Sequence, residues 1–104
     1  MGEIKVRDDI LRKIQEAKEN QLEELDLSND HNTPDEYKLS KIPEEVFRIK
    51  TLKRLALRYN KLYQLPESLG DFTSLNELDM RGNQLKSLPE SFCNLTSLKT
   101  MPYP

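Results

Sequence analysis

Residues 52–95 read LKRLALRYNKLYQLPESLGDFTSLNELDMRGNQLKSLPESFCNL. Laid against itself, this stretch repeats with a period of 23 residues: Leu52, Leu55, Leu57, Leu62, Leu65, Leu69 and Phe72 recur as Leu75, Leu78, Met80, Leu85, Leu88, Phe92 and Leu95, with Asn60 matched by Asn83 and Pro66 by Pro89. A fixed period of this length implies a stacked array in which each copy is one structural unit. Leu98 and Met101 open a further copy at the same spacing. Upstream, Leu22, Leu25 and Leu27 open an earlier copy that Leu39, Ile42, Pro43, Val46 and Ile49 close. From Leu22 to Leu52 is 30 residues, seven more than the period, and the extra residues fit best as His31 to Tyr37.

Each copy carries its own physical logic. In Leu25 and Leu27, Leu55 and Leu57, and Leu78 and Met80, two apolar residues flank one polar or small residue, which is the period-2 pattern of a strand with one face buried. Every copy therefore predicts one short parallel strand with those pairs pointing inward. Asn60 and Asn83 follow at the turn, where an amide can both donate to and accept from the backbone of a neighbouring coil. Asp30 stands at the matching place in the first copy and, ionised, cannot donate, so the ladder there is expected to differ. Pro66 and Pro89 fix φ and remove a donor, which suits an irregular return path. A copy buries seven or eight apolar side chains, each contributing about 1.5–3 kcal/mol, against an ordering cost near ~1.5 kcal/mol for every residue. One copy cannot fold alone, so stacking and end caps are required.

The segments LKRLALRYNKLYQLPESLGDF and LNELDMRGNQLKSLPESFCNL resemble leucine-rich repeats of the 23-residue type, with the pattern LxxLxLxxNxLxxLP. The LPES turns at 65–68 and 88–91 are similar to those of intracellular Ras-suppressor and Ras-group repeats, and to bacterial and Roco-type repeats. ILRKIQEAKENQLEELDLS resembles the helix that precedes the first repeat in such proteins. The resemblance runs from about Asp8 to Met101 and implies an α/β fold: a short right-handed solenoid with a parallel concave sheet, an irregular convex side and an N-terminal capping helix. On this reading residues 1–21 are the cap region, and 22–104 hold about three repeats (22–51 with the insertion 31–37, 52–74, and 75–97) and a truncated fourth at 98–104.

From Asp8 to Asn20, Ile10, Leu11, Ile14 and Ala17 are expected on one helix face, with Arg12, Lys13, Glu16 and Lys18 on the other. Asp8 and Asp9 suit a helix start, and Asp8 with Arg12 and Asp9 with Lys13 are acid-first pairs four apart. The polar face is mixed in sign, whereas a membrane-surface helix would be basic. At the other end TMPYP places prolines at 102 and 104, which deny donors to a continuing strand. Two readings stay open there: an edge guard, or the truncated end of a longer array, whose open leucines would favour self-association.

Composition narrows function. Sixteen basic and eighteen acidic residues leave a net charge of −2, spread without blocks, and nothing resembles the basic face of a nucleic-acid binder. Apolar runs are too short to span a bilayer, and MGEIKVRDD is no signal peptide, so a cytoplasmic location is expected. The single cysteine, Cys93, cannot form an internal disulfide and reads as a small buried or half-buried hydrophobe. Asn94, Leu95 and Thr96 form a glycosylation triplet that, with no secretory signal, reads as coincidence. One cysteine and one histidine, His31, with no metal-ligand spacing and no glycine-rich loop, predict no enzyme, no metal and no cofactor. The family's enzymatic relatives hold their chemistry in additional domains.

What remains is a surface. The residues between and after the strand leucines form columns: Glu24, Arg54, Glu77; Asp26, Ala56, Asp79; Ser28, Arg58, Arg81; and Asn29, Tyr59, Gly82. The first column alternates in sign and can pair within the molecule. Arg58, Arg81 and Tyr59 are interface-type residues, and the two arginines need Asp26, Asp79 or a partner's acid to balance them. The candidate partner-binding residues are Arg54, Arg58, Tyr59, Glu77, Asp79 and Arg81. The insertion, with His31, Asn32, Asp35 and Tyr37, is a second candidate, since extra loops beside a rigid scaffold often carry recognition. Thr33, Pro34 and Asp35 read as a turn, and His31 as a solvated side chain. The expected function is a non-catalytic module or adaptor presenting its concave sheet to a protein partner, and the Ras-group resemblance implies a place in small-GTPase signalling. The alternative is the N-terminal part of a larger leucine-rich-repeat effector or Roco-like protein.

Overall fold

The computed structural model describes residues 8–95. Helix α1 spans Asp8–Glu19, with Asp8 and Asp9 in its first turn and Lys18 in its last, each where the helix dipole favours that charge. Ile10, Ile14 and Ala17 are buried. Leu11 is not on that face: it stays 49% exposed, which corrects the sequence reading. At about 100° per residue, the buried three cluster within one narrow stripe and Leu11 falls a quarter-turn away. The helix ends in a Schellman-type closure, with Leu22 N donating to Ala17 O at 2.9 Å. Gln21 takes φ 50° there, the left-handed position that usually holds glycine.

Three short strands follow, β1 (Glu24–Asp26), β2 (Arg54–Ala56) and β3 (Glu77–Asp79). They form one parallel sheet in the order β1-β2-β3. Register runs Glu24–Arg54–Glu77, Leu25–Leu55–Leu78 and Asp26–Ala56–Asp79. Backbone bonds continue past the strand ends, from Leu27 N to Ala56 O, Leu57 N to Asp79 O and Tyr59 N to Arg81 O, at 2.7–2.9 Å. The middle leucine of each strand faces the core, as the alternation predicts, and Leu27, Leu57 and Met80 join it.

Behind the sheet the chain returns through 3-10 turns at Glu44–Arg48, Glu67–Asp71 and Glu90–Asn94, each entered from a proline. The prolines supply what they can: Pro43 O, Pro66 O and Pro89 O accept from Val46 N, Leu69 N and Phe92 N at 3.0–3.1 Å. Adjacent turns approach so closely that a Cβ on Gly70 would lie 2.6 Å from Ser91 Cβ, and Ser91 Oγ donates to Glu67 O at 2.7 Å. One continuous core results, with the Phe47 and Phe72 rings 5.6 Å apart. Leu22, predicted to open the first copy inside this core, is 39% exposed, whereas its counterparts Leu52 and Leu75 are fully buried. Those two rest against a preceding coil; Leu22 has only the end of α1 before it. The expectations about Leu98, Met101 and TMPYP, and about the side chains of Cys93 and Asn94, lie outside the described residues.

Among the described residues no helix is long and apolar enough to cross a membrane. Nor do three or more His, Cys, Asp or Glu side chains gather to hold a metal ion.

Candidate functional site: the concave sheet face

The exposed side chains of the three strands surround a hollow of about 420 Å³, floored by Leu25, Leu55, Ala56 and Leu78 and walled by charged residues. Charge is sorted by strand. The walls of β1 and β3 are acidic, and the middle coil is basic. Arg54 is held from both sides, 3.0 Å from Glu24 and 3.2 Å from Glu77, and Lys53 lies 3.4 Å from Glu23. The alternating column thus pairs within the molecule. All these groups are well exposed, so each pair contributes at most ~1 kcal/mol.

The two arginines of the third column behave differently. Arg81 folds back on its own coil and grips Asp79 with two bonds, Nε to Oδ1 at 2.9 Å and Nη2 to Oδ2 at 2.8 Å. This bidentate geometry, chiefly the Arg81 hydrogen bond, holds the Asp79 carboxyl below its ordinary range and raises Arg81 in turn. Arg58 stands between two carboxylates without closing on either, 3.9 Å from Asp26 and 3.7 Å from Asp79. Its backbone is better fixed than its head: Arg58 N donates to Ser28 Oγ at 2.9 Å. Of the concave arginines, Arg58 has the guanidinium least committed within the molecule.

Tyr59 sits at φ 55°, and its ring lies directly over Gly82, where a Cβ would come within 2.5 Å of a ring carbon. Gly82 repeats the left-handed conformation at φ 81°. The Tyr59 ring also meets His31, with centroids 6.2 Å apart and planes tilted by 57°. His31, read from sequence as simply solvated, therefore joins the insertion to the sheet face, although it remains exposed.

The insertion is ordered by its own polar groups. Asp30 Oδ1 accepts from Asn32 N at 2.9 Å and from Thr33 Oγ1 at 3.2 Å. A 3-10 turn at Asp35–Tyr37 follows Pro34, with Asp35 3.3 Å from Lys38 and Tyr37 48% exposed. Asp30 thus serves its loop, while Asn60 ties the coil after the loop to the coil before it. Asn60 Oδ1 accepts from Leu39 N and from Asn29 Nδ2, both at 2.8 Å, while Asn60 Nδ2 donates to Leu27 O and Leu57 O. Asn83 makes the corresponding bond to Leu62 N, so Leu39 occupies in its coil the place of Leu62 in the next. One side chain therefore ties both ends of the loop. The sequence reading, that Asn60 and Asn83 donate to and accept from the backbone of the neighbouring coil, holds; what it missed is the bond Asn60 accepts from Asn29 Nδ2.

Comparison with known proteins comes to the same architecture. A leucine-rich-repeat family model matches residues 35–85 and again 51–101. No curated protein matches the chain significantly. Among solved structures, a leucine-rich-repeat protein of Leptospira interrogans superposes with a TM-score of 0.58 at 22% identity, over 82% of this chain. The chain spans 32% of that protein's length, and at this identity the likeness speaks for the fold. Domains of this kind generally mediate protein–protein interaction. With the family model matching well over half of the residues and the three-strand parallel array in place, the chain belongs to the leucine-rich-repeat family.

Proposed function

We propose that the protein is a non-catalytic binding module whose concave sheet receives a protein partner, with Arg58 as the central contact and Tyr59 and Arg81 beside it. The observation that carries this reading is the hollow over β2, floored by the strands at Leu25, Leu55, Ala56 and Leu78 and overlooked by an arginine whose two nearest carboxylates, at 3.7 and 3.9 Å, leave its donors free of a bidentate bond. A carboxylate or carbonyl on a partner could take the Arg58 donors in bidentate geometry at little cost to the existing network. Arg54, Glu77 and Asp79 act as the pre-organised rim, and His31, Asn32, Asp35 and Tyr37 extend the surface through the His31–Tyr59 contact. A role in signalling next to small GTPases rests on the likeness of the LPES turns to Ras-group repeats alone.

The test is affinity capture with the wild-type chain and with Arg58→Ala and Arg81→Ala singly and together, followed by mass spectrometry. Specific partners should be lost with Arg58→Ala and further reduced in the double variant. Undiminished capture by a folded double variant would remove the concave face as the binding site.

A second reading is favoured by the 32% share of the Leptospira protein's length. In it the same surface supplies the first strands of a longer array's concave sheet, and the partner footprint continues onto further repeats.

A further inference from the structure

Among the described residues, one flank of the array carries lysines in no ion pair, in contrast to the concave face. Every concave cation is in an ion pair: Lys53, Arg54, Arg58 and Arg81 each have a carboxylate within 4.0 Å. Between the turn asparagines and the prolines the chain runs KLSK (38–41), KLYQ (61–64) and QLKS (84–87), with no acid in any of the three segments. The middle leucines point into the core, which turns the flanking residues outward. Backbone bonds stack the segments, from Lys61 N to Leu39 O at 2.8 Å, Gln84 N to Leu62 O at 2.9 Å and Lys86 N to Tyr63 O at 3.4 Å.

Lys38 is neutralised by Asp35. Lys41, Lys61 and Lys86 have no carboxylate within ion-pair distance among the described residues. Coils stack about 4.8 Å apart, and the three lysines stand one on each of three successive coils. Tyr63 stands in the middle segment, 44% exposed. Acids resume only past the prolines, at Glu44, Glu67 and Glu90 on the convex turns, and so bound the patch on one side.

We propose that this flank is a second docking surface, independent of the concave face, and that its occupant is an acidic segment of a protein partner. Charge complementarity selects the occupant: a chain with net charge −2 repels acidic partners in general, yet offers them three unpaired lysines here, and the neutralised concave face cannot compete for them at long range. Tyr63 supplies an apolar ring with a polar tip against which such a segment can pack. The lysines set the approach and its salt dependence; Tyr63 sets the register.

The test titrates the full chain, labelled with ¹⁵N, with an acetylated peptide alternating glutamate and glycine, with a lysine-glycine peptide, with phosphatidylcholine–phosphatidylserine vesicles, and with a single-stranded oligothymidylate. The expected result is saturable shifts with the glutamate peptide at residues 38–41, 61–64 and 84–87. Affinity should fall about ten-fold when Lys41, Lys61 and Lys86 are all changed to Gln, recover in the triple Lys→Arg variant, and stay unchanged in Lys50→Gln, an exposed lysine outside both surfaces. Shifts confined to the concave face, equal binding by a folded triple Gln variant, or tighter binding of vesicles or oligothymidylate to the same flank would each overturn the proposal. Because shifts at residues 38–41, 61–64 and 84–87 are read separately from shifts on the concave face, this surface and the concave one fail independently.

Discussion

Replacing Asn60 with alanine isolates the one buried polar side chain among the described residues. In the wild type its amide satisfies Leu39 N, Leu27 O and Leu57 O, and holds Asn29 Nδ2. Leu57 O keeps a second donor, Asn83 Nδ2 at 2.8 Å, and Asn29 Nδ2 can still reach Tyr59 O at 3.3 Å. The substitution therefore strands two buried backbone groups, Leu39 N and Leu27 O. At ~1–3 kcal/mol for each unsatisfied group, Asn60→Ala should cost about 2–6 kcal/mol, a large share of the stability of a small domain. Asn83→Ala removes the same chemistry from a half-buried site that water can reach and should cost about 1–2 kcal/mol. Urea unfolding followed by far-UV circular dichroism gives both values, and amide exchange at Leu39 should accelerate in Asn60→Ala and not in Asn83→Ala. A cost for Asn60→Ala equal to or below that of Asn83→Ala, or an unchanged Leu39 amide, would refute the assignment of Asn60 as the tie between the insertion and the array.

Two further outcomes follow from the same coordinates. Gly82→Ala places a Cβ at φ 81° and 2.5 Å from the Tyr59 ring, so it should destabilise by about 1–3 kcal/mol; adding Tyr59→Ala should return part of that loss and leave the backbone part, as chemical unfolding of the single and double variants would show. Asp79, held low by Arg81, binds protons less readily folded than unfolded, so its contribution is fully present above the ordinary carboxylate value near ~3.9 and is lost as pH falls through the depressed folded value. A carboxyl NMR titration should place Asp79 below an ordinary aspartate, and Arg81→Met should move it back up; an unmoved Asp79 would break the link to the Arg81 bridge. Being partly exposed, the pair should weaken in high salt.

Much of this molecule is written in its 23-residue period. Leu55, Leu57, Leu78 and Met80 could be assigned to the core, and three parallel strands to the sheet, because burial on one side of a strand forces alternation and stacking forces the interval. The turn prolines and asparagines were legible for the same reason: each has a backbone duty that recurs at a fixed place in every coil. Local periodicity left other matters open. Leu11 and Leu22 carry the same side chain as their buried neighbours, and their exposure depends on what packs at the first coil. Two adjacent arginines in one column look equivalent on paper, yet Arg81 closes on Asp79 and Arg58 on nothing, a difference of about 1 Å in side-chain reach. His31 meets Tyr59 across the insertion, and Asn29 reaches Asn60 from the preceding coil. Burial patterns repeat along the chain and can be read there, whereas ion pairs, ring contacts and shared hydrogen bonds depend on distances between coils, which exist once the coils have stacked.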